Sequence, residues 1–482
     1  MPKDALQKES CLIGRALDYA SERFERFGDT VNTALREPVI RLGVTGLSTA
    51  GKTVFITSLV ENLRNRDRLL QFRPVAEGRL EAAFLQPQPN ETLPRFSFEN
   101  HLATLTDTPP SWPQSTRTIS QLRLSFRVRP NGLLSGLSAP RNVHLDIVDY
   151  PGEWLLDLPL LDKSFDEWSS EALAAMQIGR RKSHGADFLS ALGNFDPAEP
   201  LEEAKAQKLA SIFTRYLRVA KADGLSSLAP GRFLMPGDLD GSPAMTFFPI
   251  AGGPYKRGSF GHQITRRFEA YKSKVVLPFF RDHFAKLDRQ IVLIDVLSAL
   301  HQGPIAVADM QTALTDILAC FKTGRNTVFS RLFARRIDKI LFAATKADHI
   351  HHTQHPALDS LIQAMVRDAK DQSEYKGAQT RSMALASFRT TTEAKRRVDN
   401  TELSVVEGRL EEGEVLGASF PGRLPNDPRS ILTQAQSGKP DWTDFDFALQ
   451  AFLPPLSKKD TMPGLPNIRM DQAIEFLIGD RL

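Results

Sequence analysis

The chain has 482 residues, more than one compact core usually holds, so we expect two or three domains or one domain with large insertions. Its 61 basic and 57 acidic residues give a net charge of +4, and no basic block stands out, so we expect no nucleic-acid partner. No uninterrupted apolar stretch reaches the ~18 residues that a membrane-spanning helix needs, so we expect no transmembrane segment.

The first 36 residues do not resemble a signal peptide, because charged residues such as Lys3 and Asp4 interrupt any apolar core. Apolar residues recur there at helical spacing, which predicts an amphipathic helix over residues 1–36 that packs on the protein's own core. Peripheral contact with a membrane is the alternative. The chain has two cysteines, Cys11 and Cys320, without partner spacing, so we expect a cytoplasmic location.

A phosphate-binding loop follows the first predicted strand, residues 39–44. The segment from Gly46 to Thr53 matches G-x-x-x-x-G-K-[ST] and leads into a predicted helix. Such a loop points backbone N–H groups at phosphate oxygens, and the helix dipole adds positive potential. Lys52 would reach the β- and γ-phosphates, and the Thr53 hydroxyl would ligate Mg²⁺. The expected nucleotide contacts here are Gly46, Ser48, Thr49, Ala50, Gly51, Lys52, Thr53 and Val54.

Residues 70–118 are rich in proline and polar residues, so we expect a long excursion rather than regular elements. We place the first switch at its end, in residues 112–118. Trp112 would either cover the nucleotide or serve as a packing anchor. Arg117 would act as an arginine finger in cis, or would only solvate the loop or pair with a carboxylate.

The same segment supplies further expected nucleotide contacts, which are Ser115, Thr116 and Thr118. The hydroxyl of Thr116 or Thr118 would ligate Mg²⁺ when the γ-phosphate is present, and we take Thr116 as the ligand.

Residues 122–129 and 143–149 alternate apolar and polar residues, as neighbouring half-buried strands do. The second run ends in a D-x-x-G motif. An aspartate at the position of Asp149 helps to organise Mg²⁺ in GTPases, and the N–H of Gly152 would sense the γ-phosphate, so the following loop would be a switch. Glu153 would orient the attacking water, but its charge would face the γ-phosphate, so we expect slow turnover.

The rest of the chain alternates long helical and strand-like patterns. Helical periodicity dominates residues 155–288, notably 202–220 and 260–287, and we interpret this block as an insertion. Further predicted elements are strands at 290–296, 339–344 and 382–386, helices at 307–322 and 357–367, a hairpin at 402–418 and a helix at 470–478. Strands that alternate with helices predict βαβ units and a parallel sheet.

Thr345-Lys346-Ala347-Asp348 follows the run at 339–344 and is similar to the [N/T]-K-x-D guanine signature. The Asp348 carboxylate can accept from N1–H and N2–H₂ of guanine, whereas adenine offers no such pair of donors. The aliphatic part of Lys346 would lie over the base. The remaining expected contacts are His349, Ser387 and Phe388, the last two placed where a backbone N–H would meet guanine O6.

Together these elements predict an α/β fold, namely a P-loop NTPase core whose mostly parallel sheet is flanked by helices, with a large helical insertion. The expected segments are an N-terminal helix (1–36), the first half of the core with the switch-one excursion (37–154), the insertion (155–288), the second half of the core with the guanine motif (289–400), and a C-terminal hairpin and helix region (401–482).

The order of these motifs resembles that of Ras-like GTPases, and the chain resembles more closely the YcjX family of bacterial P-loop GTPases linked to stress responses. The resembling stretches are residues 43–53, 112–122, 146–161, 292–300, 345–350 and 473–482. The resemblance implies a Ras-like core, a large helical insertion and intrinsic GTP hydrolysis. The pattern departs at Ser48, where Ras-like proteins have glycine, at Glu153, where many have glutamine, and at Thr345, where asparagine is commoner.

We therefore expect a cytoplasmic GTP- and GDP-binding protein with slow, Mg²⁺-dependent GTP hydrolysis. It would act as a switch through a protein partner that the sequence does not identify, and the family resemblance implies a part in a stress response. One alternative is an ATP-dependent P-loop enzyme, such as a kinase or motor ATPase, in which the Thr345–Asp348 motif is coincidental. Another is a scaffold that holds GDP structurally and works through its insertion.

Overall fold

The computed structural model describes residues 37–46, 50–114, 118–131, 139–319, 337–367, 371, 378–398, 400–439, 441–443, 445–456 and 462–482. The helix predicted for residues 1–36 lies outside these residues, as do Cys11 and Cys320. Among the helices of the described ranges, none is long and apolar enough to cross a membrane.

The described residues form a seven-stranded sheet in the order β2-β3-β4-β1-β5-β6-β7. Its strands are β1 (Val39–Gly46), β2 (Leu80–Gln86), β3 (Ser120–Val128), β4 (Arg141–Asp149), β5 (Arg289–Ile294), β6 (Lys339–Ala344) and β7 (Gln379–Ala384). In this spatial order, the five strands β4, β1, β5, β6 and β7 are parallel, and β2 and β3 add an antiparallel edge. This confirms the predicted α/β class with a mostly parallel sheet.

Helices connect and cover these strands. In chain order they are α1 (Lys52–Asn65), α2 (Arg73–Ala76), α3 (Phe98–Thr106), α4 (Phe165–Ala175), α5 (Gly179–Gly193), α6 (Glu203–Ala222), α7 (Phe260–Tyr271), α8 (Leu277–Asp282), α9 (Val296–Gln302), α10 (Pro304–Ala319), α11 (His355–Met365), α12 (Pro428–Gln436) and α13 (Met470–Ile478). A π-helical turn, Lys272–Val276, joins α7 to α8.

The two faces of the sheet bury separate cores because side chains of a strand alternate between its faces. In β5, Ile291 and Leu293 are buried in a core that includes residues of α1 and α13. Val292 and Ile294 are buried in the other core, which continues into the insertion between β4 and β5. Central parallel strands that are covered on both faces read as nearly continuous apolar runs, which is why they were predictable.

The insertion is mostly helical, as predicted. It begins with a 3₁₀ segment, Gly152–Asp162, and α4 then starts at a capping box in which Ser164 and Glu167 satisfy each other's backbone N–H groups. Aromatic rings form the centre of the helical block, where Trp168 stacks on Phe268 with ring centroids 5.0 Å apart.

A second, antiparallel sheet consists of β8 (Thr391–Val398), β9 (Thr401–Arg409) and β10 (Leu416–Ser419) in the order β10-β9-β8. The hairpin predicted for residues 402–418 is therefore present, and β8 extends it by a strand that we did not predict. Because β8 pairs with β9 along its whole length, the boundary expected between residues 400 and 401 falls inside this sheet.

The expectation of an irregular excursion over residues 70–118 was wrong. This segment contains β2 and α3, and its prolines at 87, 89 and 94 lie between these elements. Strand β2 is an edge strand whose residues are mostly half-buried, so its apolar periodicity is weak. Helix α3 is short and buries only Phe98 and Leu105 completely.

Candidate functional site: a cavity at the carboxyl edge of the sheet

A cavity of about 600 Å³ lies where the carboxyl ends of β1, β5, β6 and β7 meet. Residues that follow β1 line one part of it, and residues that follow β6 and β7 line another. Open α/β sheets bind ligands outside the carboxyl ends of their strands, and this volume is within the range of small-molecule sites.

The two glycines of the phosphate-loop motif are required for different structural reasons. A side-chain carbon at Gly46 would lie 2.9 Å from the carbonyl oxygen of Leu293 and 3.1 Å from Cβ of Ala50, so the backbone packs too closely for a larger residue. Gly51 has a φ of 76°, a left-handed conformation that favours glycine, and it directly precedes α1.

The start of α1 faces the cavity. Of the predicted contacts, Ala50, Gly51, Lys52, Thr53 and Val54 all line it. Nζ of Lys52 donates to the carbonyl oxygen of Gly46 at 3.3 Å. The unpaired N–H groups at a helix start and the positive end of its dipole favour an anion there. Ser48 and Thr49 lie outside the described residues.

Asp149 lies at the end of β4, the strand beside β1. It is 1% exposed and is aligned with Val44, two residues before Gly46. The Thr53 hydroxyl and the Asp149 carboxylate are hard oxygen donors of the kind that Mg²⁺ prefers, so these side chains fit such an ion. Thr116, the third predicted ligand, lies outside the described residues.

Asp348 lies in the cavity wall and is held by Thr390. The backbone N–H and the hydroxyl of Thr390 both donate to Oδ2 of Asp348, each at 2.8 Å. A carboxylate has about four acceptor sites, so Oδ1 is left for a ligand. Thr390 also lines the cavity, but no local sequence signal marks it, because it lies 42 residues from its partner.

Lys346 is positioned by residues that follow β5. Its Nζ lies 2.5 Å from Oδ2 of Asp295, which is 2% exposed and accepts a hydrogen bond from Ser298 N at the start of α9. Lys346 has a φ of 59°, so the backbone turns sharply at this residue. Sequence analysis did not single out Asp295 or Ser298; an aspartate that ends a buried strand and caps the next helix was the available signal.

Aromatic side chains form another wall. Trp112 lines the cavity, donates from Nε1 to the carbonyl oxygen of Phe452 at 2.9 Å and meets the ring of Phe388 edge to face. His349 packs edge to face on Phe452, and burial lowers the pKa of His349 below its usual value, so its ring is neutral at pH 7. Residues 449–452 also line the cavity and carried no recognisable motif in the sequence.

The loop after β7 also reaches the cavity, as predicted for Ser387 and Phe388, which both line it. The carbonyl oxygen of Ser387 accepts a hydrogen bond from the hydroxyl of Ser58 on α1. This contact joins the loop after β7 to the helix that carries the phosphate loop.

Gly152 and Glu153 are buried at the start of the 3₁₀ segment and are not among the residues that line the cavity. Oε1 of Glu153 lies 2.5 Å from Nζ of Lys221 on α6. Burial alone would raise the pKa of Glu153, but the positive charges of Lys52 and Lys221 outweigh it and hold that pKa below its usual value. Glu153 is therefore an ionised, paired carboxylate.

The predicted first switch is only partly described. Ser115, Thr116 and Arg117 lie outside the described residues. Thr118 lies with its methyl group beside Gly237 of the insertion and is not among the residues that line the cavity. Trp112 and Pro113 are thus the described members of this segment that line the cavity.

Comparison with known sequences gives one family. The sequence model described as "YcjX-like family, DUF463" matches residues 40–482. A protein named Ras-like GTPase YcjX from Escherichia coli (strain K12) is 38% identical over 457 residues, which cover 92% of this chain and 96% of that protein. A protein of the same name from Shewanella oneidensis is 34% identical over 469 residues, covering 92% and 94%. The chain therefore belongs to the YcjX-like family.

Proposed function

We propose that the protein binds GTP and GDP in the 600 Å³ cavity, hydrolyses GTP slowly with Mg²⁺, and acts as a nucleotide switch. The observation that carries this proposal is the presence of two motifs in the lining of one cavity. Lys52 and Thr53 belong to a phosphate-binding motif, and Lys346 and Asp348 belong to a guanine-binding motif.

At the phosphate part of the cavity, Lys52 would neutralise the β- and γ-phosphates while N–H groups at the start of α1 bind their oxygens. Thr53, Asp149 and Thr116 are the residues that would hold Mg²⁺, which when bound neutralises charge on the phosphates. Gly152 would report the γ-phosphate through its N–H.

At the base part, Oδ1 and the remaining acceptor capacity of Asp348 would meet N1–H and N2–H₂ of guanine. The two hydrogen bonds from Thr390 keep this carboxylate in place before a ligand arrives, which lowers the cost of ordering it. Lys346 would cover the base, and its pairing with Asp295 supports that position. Ser387, Phe388, His349 and Trp112 would complete the base pocket.

Two features support slow turnover. Glu153 stands where many GTPases use a glutamine, and its carboxylate is engaged by Lys221. A carboxylate held in this pair is poorly placed to orient water, so the chemical step would depend on Arg117 or on an arginine from a partner.

A switch needs a segment whose position depends on the nucleotide and that touches an output surface. The segment after Gly152 touches the insertion, since Arg232 of the insertion stacks on Trp154 with Cζ 3.2 Å from the ring centroid. In this proposal, the position of that segment would depend on the γ-phosphate. The insertion would therefore carry the signal to a protein partner. A cytoplasmic location, expected from the two cysteines without partner spacing, and a part in stress responses, implied by the family resemblance, complete this proposal.

Single-turnover hydrolysis of GTP by excess protein tests the activity. We expect the wild-type protein to form GDP and phosphate slowly, and we expect the reaction to stop when EDTA removes Mg²⁺. With Mg²⁺ present, Asp149→Asn should hydrolyse GTP more slowly than wild type. Asp187→Asn is the control, because its 77%-exposed side chain pairs on the surface with Arg215. No hydrolysis above the protein-free rate, with GDP bound tightly, would favour the structural scaffold instead.

A further inference from the structure

A cluster of two histidines and one glutamate lies just beyond the guanine motif and takes no part in the cavity. Its members are His351 and His352, which follow Asp348 in the chain, and Glu393 on β8. Nδ1 of His352 lies 2.7 Å and Nε2 of His351 lies 3.8 Å from Oε2 of Glu393. One potential ligand atom from each residue lies within 4.8 Å of the other two.

The other two histidines of this stretch are engaged elsewhere. His349 packs on Phe452, and His355 donates from Nε2 to the carbonyl oxygen of Ala347 at 2.9 Å. His351 and His352 instead direct nitrogens at one carboxylate. The side chain of His351 is 10% exposed and that of His352 is 63% exposed, so the cluster has a fixed inner side and an open outer side.

We propose that His351, His352 and Glu393 bind a divalent first-row transition-metal ion, of which Zn²⁺ is the representative. Imidazole nitrogen with carboxylate oxygen is a donor set that suits zinc better than Mg²⁺. Zinc bonds of about 2.0–2.1 Å at tetrahedral angles put ligand atoms roughly 3.3 Å apart. The two distances from Oε2 of Glu393 lie on either side of that value, and all three ligand atoms lie within 4.8 Å of one another, so closure of the three side chains around the ion would complete the site, with water as the fourth ligand.

The surroundings of His351 suit this role. Its Nδ1 lies 3.0 Å from the hydroxyl oxygen of Thr353. The backbone N–H of Thr353 also donates to this nitrogen, at 3.4 Å. A metal ion on Nε2 would require the proton on Nδ1, which would then donate to the Thr353 hydroxyl instead of accepting from that N–H, and the lone pair of Nε2 would face the ion. A metal-bound histidine commonly donates its other N–H in this way, which fixes the ring orientation.

The metal would also stiffen the base pocket, a consequence that rests on the proposed function. Glu393 follows Thr390 and Thr391 in the chain, and the Thr391 hydroxyl donates to the carbonyl oxygen of Asp348 at 2.5 Å. Thr390 binds the Asp348 carboxylate. A metal that ties His351 and His352 to β8 would therefore clamp the loop of Asp348 to the residues that position it, and metal and guanine nucleotide would strengthen each other's binding.

The site itself is tested without nucleotide, so that its failure and failure of the proposed function are separate results. Untagged, metal-free full-length protein competes with a chromophoric chelator for Zn²⁺. We expect the wild-type site to bind Zn²⁺ but not Mg²⁺. The variants His352→Ala and Glu393→Gln should each bind Zn²⁺ at least about tenfold more weakly than wild type. His184→Ala is the matched control, because His184 has, among the described residues, a single carboxylate partner, Asp223, at 2.9 Å.

Co²⁺ in place of Zn²⁺ adds a spectroscopic readout, with visible absorption bands typical of tetrahedral coordination in wild type and their loss in His352→Ala. Equal Zn²⁺ affinity in wild type and His352→Ala would overturn the site. The coupling is tested by GDP affinity with and without Zn²⁺. If Zn²⁺ tightens GDP binding to wild type but not to His352→Ala, the coupling is supported. If Zn²⁺ leaves the GDP affinity of wild type unchanged, the coupling is overturned.

Discussion

Nζ of Lys221 lies 2.5 Å from Oε1 of Glu153, so the last turn of α6 holds the residue that follows the D-x-x-G motif. Both side chains are mostly buried, with exposed fractions of 20% and 8%. The backbone of the insertion also touches Glu153, because a side-chain carbon at Gly231 would lie 1.6 Å from the Glu153 carbonyl oxygen. The insertion therefore sets where the segment after Gly152 lies.

We expect Lys221→Met to destabilise the protein by about 3 kcal/mol, because removal of one partner leaves a buried carboxylate that has lost its ion pair and keeps, among the described residues, Lys52 as its neighbouring cation. Denaturant unfolding measures this loss. Lys205→Met on the same helix is the control, since Lys205 and Glu199 pair at 3.1 Å on the surface and should contribute less than about 1 kcal/mol. Equal losses in the two variants would contradict this account of Glu153.

The same segment contains a buried carboxyl with the opposite pKa shift. Asp157 accepts hydrogen bonds from the N–H of Gly231 at 2.7 Å, the N–H of Arg232 at 3.2 Å and the hydroxyl of Tyr271 at 2.6 Å. Burial nevertheless raises the pKa of Asp157 from 3.8 to about 6. The folded state therefore binds a proton at Asp157 more strongly than the unfolded chain does.

This shift predicts a pH dependence of stability. The stabilisation linked to protonation of Asp157 is complete below the unfolded pKa of 3.8 and is lost as the pH rises through about 6. The free energy of unfolding of wild type relative to Asp157→Asn should fall between about pH 4 and pH 7, by up to roughly 3 kcal/mol. Denaturant titrations of both proteins across this range give the difference. If the unfolding free energy of wild type minus that of Asp157→Asn stayed constant or rose with pH, the raised pKa of Asp157 would be refuted.

Lys52→Ala should abolish tight binding of both GTP and GDP, because the lysine is the positive charge that the loop motif supplies to the phosphates. The fold should survive, since Lys52 lies at the cavity surface and its removal opens no core cavity. Calorimetric titration and a thermal melt measure the two effects, with Lys182→Ala on the exposed face of α5 as the control. Affinity within about 1 kcal/mol of wild type would exclude the phosphate-loop assignment.

Arg117→Ala should slow single-turnover GTP hydrolysis by roughly 100-fold or more and leave GDP affinity nearly unchanged, because an arginine finger acts on charge that develops in the transition state. Arg95→Ala is the control, as Arg95 forms an exposed pair with Glu99 in the same stretch of chain. An unchanged hydrolysis rate would show that Arg117 is not catalytic, and an arginine supplied by a partner would then be the alternative arginine finger.

Much of the fold was predictable because its central strands and long helices have strong local periodicity. Strand β6 and helix α13 were predicted with the bounds that the structure has. Strand β7 begins three residues earlier than expected, because its first three residues, Gln379 to Arg381, are polar and exposed or half-buried. Strands β2 and β8 were missed because edge strands depend on their partners more than on their own pattern.

In the candidate site, the predicted residues belong to short contiguous motifs that follow strands. The residues that position them do not, because Thr390, Asp295 and Lys221 reach their partners from 42, 51 and 68 residues away along the chain. A single sequence contains no local signal for such contacts, which the fold alone creates. The pairing of Glu153, which changes its expected role, was therefore accessible only from the structure.

The most direct test of the central claim is competition of GTP and ATP for a fluorescent GDP analogue bound to the wild-type protein, repeated with Asp348→Asn. The carboxylate of Asp348 matches two donors of guanine, whereas adenine leaves it unpaired in a buried site. We predict that GTP displaces the analogue at least about 100-fold more effectively than ATP, and that Asp348→Asn narrows this ratio by weakening GTP. Equal affinity of wild type for the two nucleotides would contradict the account and favour an ATP-dependent enzyme.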